Sequence, residues 1–246
     1  MSPQSCPPTG RASPPTSTPA MAGALAPYRI HRYPAHLIET WHLPDGRRLT
    51  LRPVLPQDDV LEQAFVARLS PASRRYRFHG AVRGLSTGLA TQMTNIDYCL
   101  HMGFIVTVLA EYDEHGEQHE TMIADARYVT GADGETAEFA IAVAETWAGK
   151  GIGQRLLSAL CLAACRNGLR WICGEVLADN AAMLCLVARC GFSVRPNEDD
   201  ETVLQVQRSV ETHLPAAHRE TRGDSFFGAL GQSITQWIQP SRRRVV

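Results

Sequence analysis

No run of apolar residues in this chain approaches the roughly 20 that a membrane-crossing helix requires, so no membrane span is expected. The seven cysteines (Cys6, Cys99, Cys161, Cys165, Cys173, Cys185 and Cys190) are odd in number and include no Cys-x-x-Cys pair. Most sit within apolar, regularly patterned segments, where a free cysteine packs as a small hydrophobe. Reduced thiols, no metal site and a cytoplasmic setting are therefore expected. The formal net charge is only −1 over 246 residues, which gives nucleic acid or an anionic membrane no global field to bind. The first residues lack the charged and then apolar regions of a secretory signal, and no internal repeat is visible.

Composition divides what is present. Residues 1–27 are rich in Pro, Ser, Thr, Ala and Gly and bury too little apolar surface to offset their conformational entropy, so a disordered tail is expected. Residues 28–210 read as one domain. Residues 211–246 read as a second tail in which Phe227, Leu230, Ile234, Trp237 and Ile238 line one face of a short amphipathic helix ahead of Arg242, Arg243 and Arg244. Within the domain, Arg48–Arg52 alternates like a strand after the Pro44-Asp45-Gly46 turn. Helical spacing follows Asp58 and Asp59, Ser70-Pro71 reads as an N-cap with Pro at the first helical position, and Leu85, Leu89 and Met93 mark another helix. Strands are expected at Gly103–Ala110, Met122–Thr130 and Thr136–Val143, then a helix at Gly151–Leu169 closed by Asn167-Gly168. Trp171–Leu177, Asn180–Arg189 and Val203–Val210 complete the order as strand, helix and strand. Antiparallel neighbours plus one helical crossover predict an α/β (α+β) fold, a mixed and mostly antiparallel sheet flanked by helices.

The most informative segment runs from Glu138 to Gly153. A strand enters a loop with three glycines at alternate positions, Gly149, Gly151 and Gly153, and that loop opens the amphipathic helix. Such a junction gathers backbone N–H groups and the positive end of a helix dipole at one point, a natural phosphate site, and Lys150 adds charge. The spacing is that of neither a nucleotide P-loop nor a dinucleotide fingerprint.

The segment resembles the acyl-CoA-binding motif of the GNAT N-acetyltransferases, Q/R-x-x-G-x-G/A, matching at Gly151 and Gly153 with Ala148 where the family has Gln or Arg. Glu175–Met183 and Arg189-Cys190-Gly191-Phe192 resemble the family's second signature, so the likeness extends from Arg48 to Val210. Leu69–Phe78, Ala126-Arg127 and Ala137–Ala140 are most similar to the bacterial protein lysine acetyltransferases, whose known targets include acetyl-CoA synthetase. The resemblance implies acetyl-CoA as cosubstrate, held by Ile141, Val143, Ala148, Gly149, Lys150, Gly151, Ile152, Gly153 and Asn180. It implies transfer to a primary amine, foremost a protein lysine. A small amine as acceptor and a non-catalytic acyl-CoA sensor stay open, as does homodimerisation.

Amine acylation needs a neutral amine, and an exposed lysine with a pKa near 10.4 is almost wholly charged at neutral pH, so the site needs a proton acceptor. Strand alternation puts Glu138 on one face with Ala140 and Ala142, which leaves room for a substrate. In the lysine acetyltransferases it resembles, a Glu at this place is the base. The alternative for Glu138 is a solvated ion pair, and Glu175, Asp97 and Asp125 follow as candidates. The family's usual Tyr acid, seven residues after the Asn, is replaced by Val187, with Tyr98 as a distant substitute. Arg74, Arg75 and Arg77 read as a solvated helix face, or as a contact for an acidic protein or for the CoA adenosine phosphate.

Overall fold

The structure is a computed structural model that describes residues 32–80, 82–109 and 118–211. The expected N-terminal tail and C-terminal amphipathic helix lie outside these residues. Among them no helix is long and apolar enough to cross a membrane.

Among the described residues eight strands form one sheet in the order β1-β2-β3-β4-β5-β6-β8-β7. They are β1 (Glu39–His42), β2 (Arg48–Pro53), β3 (His101–Leu109), β4 (Glu120–Thr130), β5 (Thr136–Val143), β6 (Trp171–Leu177), β7 (Ser193–Pro196) and β8 (Val203–Ser209). Five α-helices among the described residues cover it: α1 (Asp59–Arg68), α2 (Pro71–Phe78), α3 (Thr87–Thr94), α4 (Ile152–Arg166) and α5 (Ala181–Arg189). All neighbouring strands pair antiparallel except β5 and β6, which run parallel because α4 carries the chain back across the sheet. The mixed sheet agrees with expectation, with two strands more than the sequence suggested.

Both faces of the sheet are buried. Ile152, Leu156, Leu157, Leu160 and Ala164 form the inward stripe of α4 and pack on Phe104, Ala126, Tyr128 and Phe139 in the larger core. On the opposite face a smaller core joins Phe65, Val66 and Phe78 of α1 and α2 to Ile105, Met122 and Ala142. β5 therefore sends Phe139 and Ile141 towards α4 and Ala142 towards α1 and α2, the alternation its sequence predicted.

The helix layer over the second face is also pinned by charge. Asp125 accepts from Arg127 Nη2 and from Arg77 Nη2, both at 2.7 Å. Arg127 also donates to the Met93 carbonyl at 2.8 Å and lies 3.2 Å from Glu62. All four side chains are buried, so this cluster ties α1, α2 and the end of α3 to β4. Arg77 is thus no part of a solvated face, contrary to expectation. Asp125 holds two guanidinium groups in place of serving as a base.

His101, at the edge of this cluster, has a ring Nε2 that is buried without a partner. Burial first, then the positive charge of Arg127, pushes its pKa down to about 3, with Asp97 and Asp125 opposing and Arg77 adding to the shift. In the unfolded chain the imidazole titrates near 6.5. Its contribution to stability is therefore full above that value and is lost as pH falls from 6.5 towards 3, at about 1.4 kcal/mol per pH unit. His101→Gln is expected to show a smaller drop in unfolding midpoint than the parent between pH 7 and pH 5, measured by thermal melts. An equal drop would place the acid sensitivity elsewhere.

Candidate functional site

β5 and β6 pair over only three positions, Thr136 with Trp171, Ala137 with Ile172 and Glu138 with Cys173. Beyond Glu138 they separate, and the gap becomes a cleft. Its walls include Glu138, Ala140 and Ile141 from β5, Glu175 from β6, Asn180 and Met183 at the start of α5, and Tyr76 and His79 from the end of α2. The divergence frees backbone groups of β5 on that edge, so a chain-like ligand can pair with them as an added strand would.

Past the cleft, β5 leads through a short 3-10 turn at Glu145–Trp147 into the glycine loop. Gly149 and Gly151 have φ of 74° and 77°, backbone that other residues adopt only with strain. Nothing lies within 4 Å of where a Cβ would stand at either. Gly151 is the N-cap of α4 and supplies no side chain, so the first-turn N–H groups of that helix point outward without a cap. Ala148, Gly149, Lys150 and Gly151 are exposed. Lys150 and Gly151 share one surface hollow with Gln154, Arg155 and Ser158. Arg155 stacks on Trp41 at 4.7 Å and lies 3.9 Å from Glu39, which lines the same hollow; Arg47 stacks on Trp147 at 4.3 Å and donates to Asp45. Oriented donors, space and the charge of Lys150 fit a phosphate-bearing ligand.

The remaining predicted positions fall into two groups. Ile141 and Asn180 line the cleft, whereas Val143 is half-buried against the larger core. Ile152 is buried and offers only its backbone. Gly153 is helical, and a Cβ there would come within 2.9 Å of the Leu186 side chain. It therefore permits α4 and α5 to approach, a packing role, not one of positive φ. Asn180 accepts from the Met183 N–H and caps α5, which orients that helix along the cleft.

Among the acids, Glu138 is half-buried on the cleft wall. Glu175 has its pKa raised by burial and then by Asp200. Asp97 accepts the backbone N–H groups of Cys99, Leu100 and His101 and thus closes a turn. Cys173 is buried, and burial with the charge of Glu138 pushes its thiol up to about 12, which removes it as a nucleophile. Val187 is buried in the core. Tyr98 donates to the Val54 carbonyl, and burial raises it to about 12.

Two cleft residues escaped the sequence reading. Tyr76 was hidden in the arginine run. His79 closes α2 in a left-handed conformation (φ 48°) and places Nδ1 3.9 Å from Glu175 Oε2. Burial, then Arg77, lowers the pKa of His79. The only local signal for either was position at the end of a helix after Ser70-Pro71.

Comparison with known proteins places this geometry. Residues 48–193 match the family model described as Acetyltransferase (GNAT) domain. The chain belongs to the GNAT acetyltransferase family. An acetyltransferase of Pseudomonas aeruginosa is 35% identical over 167 residues, which cover 68% of this chain and 86% of that one. Acetyltransferase Pat of Mycolicibacterium smegmatis is 32% identical over 148 residues, 59% of this chain but 41% of the relative. In structure, the GNAT domain of S. lividans PAT superposes with a TM-score of 0.62 at 24% identity, over 72% of this chain and 99% of that domain. The GNAT fold and acetyltransferase class expected from the two signatures are thus established. The family's cosubstrate is acetyl-CoA.

Proposed function

We propose that this GNAT enzyme transfers the acetyl group of acetyl-CoA to the side-chain amine of protein lysines, with Glu138 accepting the amine proton. The observation that carries the reading is the position of Glu138 at the last paired register of β5 and β6, where the cleft opens. The exposed amides of Gly149–Gly153, with Lys150 and Arg155 beside them, hold the pyrophosphate. The free edge of β5 from Ile141 to Val143 takes the pantetheine arm, and Asn180 sets the opposite wall. A thioester supplies an already activated acetyl group, so no protein nucleophile is required. Protein lysine as acceptor is supported by the resemblance to the protein lysine acetyltransferases, together with the relative named acetyltransferase Pat.

The test is to incubate the protein and a cell extract with labelled acetyl-CoA. Label is expected in extract proteins, at lysine. A parallel Gly151→Glu variant is expected to transfer little, because a bulky anion at φ 77° both strains the loop and repels the phosphates. Label confined to small amines would overturn the protein assignment. Undiminished acetyl-CoA affinity in folded Gly151→Glu, read by calorimetry, would overturn the loop assignment.

A further inference from the structure

The cleft, as floor, and the hollow beside it, as rim, carry opposite charge. Glu138 and Glu175 both line the cleft, whose one arginine, Arg77, is held by Asp125. The second hollow begins at His79, which it shares with the cleft, and includes Arg74, Arg75, Val82 and Arg83. Among the described residues no carboxylate lines it. The three arginines differ in freedom. Arg74 donates to the Leu69 carbonyl at 2.8 Å and to Ala67 at 3.3 Å, which closes the end of α1 and fixes its guanidinium at the rim. Arg75 meets Asp179 at 2.8 Å with both partners about half exposed, a contact worth little in water. Arg83 is exposed. Glu145, the other nearby acid, accepts the Ser70 N–H at 3.0 Å, and hydrogen bonds from Ser70 and Ser73 outweigh its burial to bring its carboxyl down to about 2.

An acidic floor under a basic rim selects among amines. A lysine ammonium gains from the floor, while a neighbouring cation on the same molecule meets the arginines. A polyamine, with a second positive charge a few bonds from the first, is disfavoured. A lysine whose chain neighbours are carboxylates satisfies both zones together. We infer that the preferred acceptor is a lysine within an acidic segment of a protein, whose Asp and Glu side chains lie on Arg74, Arg75 and Arg83 while the lysine reaches Glu138. This rests on the protein-lysine reading above and specifies the sequence context of the acceptor.

The experiment uses the full chain, acetyl-CoA and three acceptors: a peptide with one lysine between two Asp-Glu pairs, the same peptide with Ser at those four places, and spermidine. The acidic peptide is expected to exceed the Ser peptide by about tenfold in kcat/KM at low salt, because several partly exposed charge pairs each contribute modestly. The advantage shrinks as salt screens it. In the Arg75→Glu, Arg83→Glu double variant the ratio of the two peptides is expected to invert. Because the ratio is taken within one preparation, partial unfolding cancels. Equal use of both peptides, or an unchanged ratio in the variant, overturns the inference and leaves lysine acetylation standing. Acetylation of spermidine with neither peptide used overturns both.

Discussion

Glu138→Gln is expected to cut turnover by about 10²–10⁴-fold, the usual worth of a positioned general base, with acetyl-CoA affinity nearly unchanged. Gln preserves the size of the side chain on the cleft wall, so the small-residue face with Ala140 stays intact. What it removes is the capacity to take a proton. At pH 7.4 only about one free lysine in a thousand is neutral, so a variant that waits for solvent to deprotonate its substrate pays about that factor. Two readouts follow. In the variant, log turnover is expected to rise with unit slope as pH increases towards the amine pKa. In the parent it flattens earlier, because the bound ammonium can pass its proton to the Glu138 carboxylate. Isothermal titration with acetyl-CoA separates this from a binding defect.

Glu175 provides the internal comparison. Its carboxyl also faces the cleft, and burial followed by the charge of Asp200 raises its pKa. Asn197 Nδ2 lies 3.5 Å and His79 Nδ1 3.9 Å from its oxygens. With Glu138 as the base, at the register where the strands part, Glu175→Gln is expected to cost less than Glu138→Gln. The reverse order would transfer the base to Glu175, and turnover within a few-fold of the parent in both variants would leave deprotonation to water.

How much of this was legible in the sequence follows from the range of the interactions concerned. The stripe of α4, the Gly149–Gly151 loop and the helix that begins after Asn180 are set by neighbours within one or two turns, and local pattern reveals them. The alternation of β5 was legible for the same reason. The two strands that went unseen, β1 and β7, are the two edges of the sheet. Each has four residues, and both are exposed almost throughout, so neither shows the in–out alternation that betrays a half-buried strand. Arg77 was misplaced because the stripe on α2 cannot reveal that a charge is buried. Its partner, Asp125, lies 48 positions away and only the fold brings it near. Gly153 shows the same limit from the other side. Its place in the motif was visible, but Leu186, the reason a side chain does not fit, is on another helix.

The buried ionic cluster yields the largest expected effect on stability. Asp125→Ala is expected to destabilise the fold by about 3–5 kcal/mol, the cost of leaving buried charge uncompensated, which lowers the unfolding midpoint by roughly 6–20 °C for a domain of this size. Asp125 is the centre of the arrangement, since Arg77 and Arg127 both donate to it while Glu62 pairs with Arg127. Without Asp125, two guanidinium groups that are about 2% exposed share one carboxylate. The pH signs of the two acids are opposed. The carboxyl of Asp125 is held below its usual value because Arg127 and Arg77 outweigh its burial, so the stability it gives is present at neutral pH and lost as pH falls through that lowered pKa. Glu62 is pushed up to about 7 by burial and then by Asp125, so its share is full below about 4.5 and lost as pH rises through 7. Removing Asp125 takes away the second cause of that rise, which favours the ionised form of Glu62 as the remaining counter-ion. The consequence reaches the cleft, because α2 carries Tyr76 and His79 and is anchored to β4 through Arg77. Activity measured well below the melting point is expected to fall as well. Arg77→Met separates orphaned charge from lost packing, since methionine fills much of the same volume without a charge. Added to Asp125→Ala, it is expected to restore part of the lost midpoint, giving a double variant less damaged than the sum of the singles. Strict additivity would show that Asp125 and Arg77 act independently, and that something other than their pairing holds α2 against the sheet.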